Sequence, residues 1–391
     1  MKPHAGHPSP AFDSEAARKA FAENFAHRAE LGASVSIWNA SGEVLSLSGG
    51  FQDKEHQTPW LSSTRVLVWS ATKGPAAACL LHAMETARLA PNTLVSHLWP
   101  AFAAAGKDRV SLGMLLHHQA GLCCLDTPPP VDDRAAVVAA LAAQTPAWEP
   151  GTAHGYHPRT FGFLLDEMVR RITSLSLGEY WREVFGEPLH LDFWIGLPPS
   201  LESEVAPVLA PRSTLPKEDP FLRAFLTPGS LTSRSFASPR GLQTAAAMNE
   251  PSARRNSYPG WGGIGTASAL AQFYAMLACD GCWGSRRFLH TDTLRPLHSS
   301  MVQGQDAVLQ METAFSMGFM RDPLHLDGSK KRRIFGPSPA AFGHPGAGGS
   351  CAFADPASGM GFAYVMNQME PGVLPNAKYT ALLDALFSTP E

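Results

Sequence analysis

Apolar residues recur at helical spacing over residues 13–30, where Ala20, Phe21 and Phe25 share one face and Asp13 or Ser14 is a suitable cap. The pattern then changes. Two short runs, Ala33 to Trp38 and Val44 to Leu47, flank Asn39-Ala40-Ser41-Gly42, turn chemistry that predicts a hairpin. Further on, helices are predicted over Ala76 to Leu89, over 133–143, over Phe161 to Ile172 (core positions Phe163, Leu164, Met168 and Ile172), and over Ala267 to Ala278. The run Val110 to Leu122 predicts a short helix closed by Gly121. Residues 196–260 are rich in Pro and Ser and poor in periodicity, which predicts long loops or a lid. A strand pair, Ser350 to Ala354 and Gly361 to Asn367, and a closing helix, Asn376 to Phe387, complete the chain.

Strands therefore lie near both ends and helices fill the middle. This predicts a discontinuous α+β lobe, residues 12–115 with 290–391, around an inserted helical lobe, 116–289, with a cleft between them. The chain of 391 residues is long enough for both. Hydrophobic residues make up 45% and charged residues 17%, the balance of a folded globule. A net charge of −3 gives no reason to expect nucleic acid or an anionic membrane as partner. No run of eighteen apolar residues predicts a spanning helix, and Met1 to Ala26 lacks the apolar core of a leader, so a cytoplasmic location is expected. The six cysteines then read as reduced thiols. Cys279-x-x-Cys282 lacks a second ligand pair and no His-Glu-x-x-His helix occurs, so neither a metal nor another cofactor is expected.

The chemistry concentrates in Val68-Trp69-Ser70-Ala71-Thr72-Lys73-Gly74, the one Ser-x-x-Lys of the chain. On a helix the lysine lies one turn beyond the serine and on the same face. A buried lysine loses its charge more readily and becomes a base, and a serine hydroxyl becomes a nucleophile when an adjacent base takes its proton. The bland alternative is a helix-capping serine beside a surface lysine. Gly74-Pro75 predicts a distortion just beyond Lys73.

Three further stretches bear on the choice: Trp148 to Pro158 around Tyr156, Leu115 to Leu122, and Phe342-Gly343-His344-Pro345-Gly346-Ala347-Gly348-Gly349-Ser350. With Ser-Ala-Thr-Lys they resemble, in order and spacing, the serine β-lactamase/transpeptidase-like superfamily, and most nearly its class C β-lactamase-related esterases, the family VIII carboxylesterases. The resemblance spans roughly residues 15–387. It implies an α+β fold with a mainly antiparallel sheet flanked by helices and an inserted helical domain. It implies Ser70 as nucleophile, Lys73 as general base and Tyr156 sharing the proton as a tyrosinate–ammonium partner. The oxyanion donors would be the N–H groups of Ser70 and Ala347, and His344 and Gly346 would contact the substrate. Two departures stand out: Pro158 where many relatives have Asn, and His344 where β-lactamases have a carboxylate-binding lysine. Both suit a small neutral ester over a β-lactam. Transfer of the acyl group to an alcohol or amine uses the same residues, a weak β-lactamase or peptidase is a further alternative, and a non-catalytic scaffold of the same fold is the remaining reading. Gly348-Gly349-Ser350-Cys351-Ala352 has the form of a nucleophile elbow, but no histidine follows Ser350 to serve it.

Overall fold

Asp13 starts the first helix, its carboxylate accepting from the N–H groups of Glu15 and Ala16 at 3.0 and 2.8 Å. This helix, α1 (Ser14–His27), packs beside the closing helix, α5 (Ala377–Leu386), in a computed structural model that describes residues 12–388. Residues 1–11, part of the segment in which no leader was read, lie outside the described residues.

The predicted hairpin forms as β1 (Gly32–Asn39) and β2 (Gly42–Gly50), with Ser41 N–H donating to Asn39 Oδ1 at 2.8 Å across the turn. Six more strands extend it: β3 (Val302–Gln305), β4 (Glu312–Ser316), β5 (Phe319–Arg321), β6 (Phe342–Pro345), β7 (Cys351–Asp355) and β8 (Met360–Met366). They form one antiparallel sheet in the order β2-β1-β8-β7-β6-β5-β4-β3. Both faces are covered. Phe362, Tyr364 and Met366 of β8, with Cys351 and Phe353 of β7, join a core with α1 and α5. The alternate residues Ala363, Val365, Ala352 and Ala354 join the other core, with Leu270 and Phe273 of α4 (Ala267–Ala278). Gly361 admits α4 closely: a Cβ there would lie 2.0 Å from Ala271 O. The result is the mainly antiparallel sheet flanked by helices that the resemblance implied.

Further helices join the core that holds α4. Helices α2 (Lys73–Thr86) and α3 (Thr160–Thr173) pack on each other within this core. A second sheet of four short strands, in the order Phe193–Ile195, Gly263–Gly265, Arg65–Leu67 and Val205–Ala206, leads into α2.

Three local expectations need correction. The distortion lies before Lys73 rather than beyond it: Trp69–Thr72 is a 3₁₀ turn and the α-helix starts at Lys73. Pro75 therefore falls in the first helical turn, where its missing N–H has no partner to lose. The helix before Gly121 stops earlier, spanning Leu112–Leu116, with His118 left-handed at φ 57°. Gly121 instead allows a close crossing, since a Cβ there would meet Trp148 O and Pro146 Cβ at 2.8 Å. Finally, the stretch 196–260 is not plain loop. It holds four short α-helices, Pro220–Leu226, Leu231–Ala237, Ala245–Asn249 and Pro251–Arg255, each too short to show a periodicity, besides the 3₁₀ helix Pro199–Glu204.

Candidate active site

The 3₁₀ turn explains how Ser70 and Lys73 meet. With three residues per turn, positions i and i+3 eclipse, so the lysine stands directly over the serine. Trp69, immediately before, is left-handed at φ 50°, a strained conformation for a residue with a Cβ and one concentrated at functional turns. The turn is tied to the small sheet, Val68 N–H donating to Gly263 O at 2.9 Å and Gly263 N–H to Thr72 Oγ1 at 2.8 Å.

Lys73 is fully buried. Its Nζ lies 3.2 Å from Ser70 Oγ, 2.8 Å from Pro158 O and 2.6 Å from Gly260 O. Burial alone pushes its pKa well below the ordinary lysine value. No carboxylate lies within 4.0 Å of it among the described residues to restore the charge. A neutral amine has two N–H groups and one lone pair. In that form the two main-chain carbonyls would take the N–H groups and leave the lone pair to face the Ser70 hydroxyl. Pro158 thus contributes its carbonyl where an asparagine side chain was missed.

Tyr156 is buried beside them, with Lys73 Nζ 4.7 Å from its ring centre. Burial pushes its phenol above the ordinary range, partly offset by contact with Ser70. Lys73 is pushed down and Tyr156 up, so burial disfavours the charged form of each.

Two groups unnoticed in the sequence hold Tyr156. Asp306, fully buried, accepts Tyr156 N–H with both oxygens at 3.0 Å and takes Val308 N–H and Leu309 N–H at 2.8 Å. Its local turn, an aspartate bonding the N–H groups two and three residues on, leaves a faint sequence signal. Its partner 150 residues away leaves none. His118 accepts the N–H of His157 at Nδ1, 3.2 Å, and its carbonyl takes Gly155 N–H at 3.1 Å. His157 in turn accepts Leu122 N–H at Nε2, 3.0 Å, which puts its proton on Nδ1, facing Gly155 O at 2.7 Å. Burial pushes the His157 imidazole down to about 4, so the ring stays neutral.

The β6 end closes the site. His344 is buried, its Nδ1 2.7 Å from Pro345 O, and its pKa is pushed down to about 3, chiefly by burial and then by Lys73. Gly346 lies against the nucleophile turn, where a Cβ would come within 2.1 Å of Val68 O. This approach brings Ala347 to the wall of the cavity that Ser70 also lines. Among the described residues Ala347 N–H has no acceptor. The cavity, about 330 Å³, is walled mainly by Trp69, Phe236, Leu242, Trp261 and Met369. Ser350, the serine of the elbow-like run, is fully buried and outside this wall. The sequence predicted no fixed cation beside the site. The β6 strand supplies none, but Arg159 lines the cavity from the side of α3.

A family model for Beta-lactamase matches residues 17–387, nearly the whole chain. The chain belongs to the Beta-lactamase family. Within it, the chain is similar to a penicillin-binding protein homologue from Caulobacter crescentus, at 36% identity and TM-score 0.82, covering 95% of each chain. It is also similar to a family VIII carboxylesterase, at 32% identity and TM-score 0.85, covering 97% of this chain and 98% of the other. Esterase/beta-lactamase LipL of Mycobacterium tuberculosis is 29% identical over 364 residues, 90% of this chain and 80% of LipL. These Beta-lactamase-family likenesses support a serine hydrolase of α+β fold. No helix among the described residues is long and apolar enough to cross a membrane.

Proposed function

We propose that the protein hydrolyses carboxylic esters through an acyl-enzyme on Ser70. The observation that carries this reading is the Lys73 amine 3.2 Å from Ser70 Oγ, its two N–H groups taken by Pro158 O and Gly260 O. Ser70 passes its proton to the Lys73 lone pair as Oγ attacks the ester carbonyl. The carbonyl oxygen, now negative, is held by the N–H groups of Ser70 and Ala347. The Tyr156 phenol, in contact with Ser70, hands a proton to the departing alcohol and recovers one from Lys73. Water then attacks the acyl-enzyme, the same pair serving as base. The esterase and carboxylesterase named among the relatives support the choice of ester. His344 is neutral and Pro345 has no N–H, so β6 offers no charged hydrogen bond to a β-lactam carboxylate.

Labelling with a fluorophosphonate, followed by peptide mapping, tests the nucleophile. The adduct is expected on the Ser70 peptide and absent from Ser70→Ala; an adduct on Ser350 would overturn the reading. Side-by-side kcat/KM for p-nitrophenyl butyrate and a chromogenic cephalosporin tests the substrate class, and the ester is expected to be the better substrate.

A further inference from the structure

Arg159 has no role in that scheme, yet it is placed as a binding group. It follows Pro158 directly and is 6% exposed. It lines the same cavity as Ser70 and Ala347. Its guanidinium carbon sits 4.9 Å from the Trp261 ring centre, so the ring supports its plane. One nitrogen donates to Gly241 O and another reaches Phe236 O at 3.5 Å. The Nε–H has no partner, although it is buried. Of the five N–H donors of an arginine, these contacts occupy two.

No carboxylate among the described residues lies within 4.0 Å of this guanidinium. The contrast with other arginines is direct: Arg134 is paired with Asp166 and Glu167, Arg65 with Asp192 and Glu204, and Arg255 with Glu202. The Tyr258 phenol also bears on Arg159, but burial raises its own pKa, so it is neutral at pH 7 and supplies no counter-charge. Burial pushes the guanidinium down to about 10, which leaves it a cation at neutral pH. A cation buried without a counter-charge is unfavourable, and an anion that meets it relieves that penalty. The apolar walls exclude water and strengthen any such pair. Three of the guanidinium's N–H donors lie outside these contacts, and a carboxylate is the group that a planar N–H fork matches with two parallel bonds.

We propose that Arg159 is a specificity residue that receives a carboxylate carried by the ester substrate at a distance from the scissile bond, so that half-esters of dicarboxylic acids are preferred over their neutral counterparts. The assignment rests on the ester-hydrolase reading and deepens it. Neutral short esters remain substrates because they need only the Ser70 end of the cavity.

The test uses p-nitrophenyl half-esters of succinic, glutaric and adipic acid, each beside the same compound with its free carboxylate capped as a methyl ester. The readout is the ratio of kcat/KM, acid over capped, at each length. In the wild-type protein the ratio is expected to exceed one at the best length by about ten- to a hundredfold, the effect of a charged hydrogen bond. Arg159→Gln should bring it to about one, and Arg159→Lys should retain part of it. A wild-type ratio at or below one at every length would overturn the assignment, as would a ratio unchanged in Arg159→Gln. If Arg159→Gln does not fold, competitive inhibition of the wild-type protein decides: monomethyl glutarate should inhibit more strongly than dimethyl glutarate, and equal inhibition overturns the proposal. Turnover of p-nitrophenyl butyrate without any acid preference removes Arg159 alone, whereas no turnover of any ester removes the ester reading and this assignment with it.

Discussion

Replacing Gly346 by alanine adds one methyl group at the closest backbone crossing of the site. The new Cβ would lie 2.1 Å from Val68 O and 3.4 Å from Ala71 N. Ordinary contact needs over 1 Å more than the first distance allows. Val68 cannot yield easily, because its N–H is bonded to Gly263 O and its carbonyl takes Ala71 N–H at 3.2 Å. The β6 end must therefore recoil by roughly 1 Å and carry Ala347 N–H with it. Misplacing one oxyanion donor lowers kcat by about 10²–10³-fold, while the overpacking costs about 1–3 kcal/mol of stability. Because the donor acts on charge that develops in the transition state, kcat should fall far more than KM changes. The assay is p-nitrophenyl butyrate kinetics beside a urea unfolding curve. A folded Gly346→Ala protein with nearly wild-type kcat would refute both the crossing and the role of Ala347.

Lys73→Ala and Tyr156→Phe should each lower kcat by about 10²–10⁴. The double variant should lose little more than the worse single one, since the two share one proton path; additive losses would separate them. Acid should weaken the fold through His157 and His344, held to about 4 and about 3 against an ordinary 6.5. Below pH 6.5 the unfolded chain binds protons at these rings and the folded chain does not, so stability falls as pH drops from 6.5 towards 4. Each ring contributes up to roughly 1.4 kcal/mol per pH unit. Glu30 and Asp306, whose carboxyls burial raises, act in the opposite sense. The urea midpoint is expected to be lower at pH 5 than at pH 7, and an equal or higher midpoint at pH 5 would refute the balance.

What could be read from the chain was whatever its own neighbourhood dictates. The hairpin of β1 and β2 was legible because Asn39 to Gly42 is a turn in any context. The helices α3 and α4 were legible because they are long enough to repeat an apolar face. Strands β3, β4 and β5 were not: the longest has five residues, and none carries a pattern distinct from loop. At the site, Ser70 and Lys73 were legible because three residues separate them. Asp306 reaches Tyr156 across 150 positions, and nothing in either neighbourhood names the other. Arg159 sits beside the recognised stretch, but its lack of a counter-charge is a property of the packed interior alone. The burial that sets the pKa directions of Lys73 and Tyr156 is likewise a property of the packed interior. Opposite charges attract at any sequence spacing, but full burial, which disfavours the charge on each, shows only in the fold.

The two carbonyls that hold Lys73 belong to Pro158 and Gly260, and neither acceptor is a side-chain atom. A comparison of side chains across variants would therefore not register them. Pro158→Ala keeps its carbonyl, and alanine scanning would score the position as silent while its oxygen still aims the amine. Conversely, the chain can change the residue at 158 without changing its base, provided the main-chain path is preserved. The atoms that orient the amine are thus encoded in the trace of the polypeptide rather than in its alphabet, and only a main-chain replacement, such as an ester in place of the amide that follows, would weaken those acceptors one at a time.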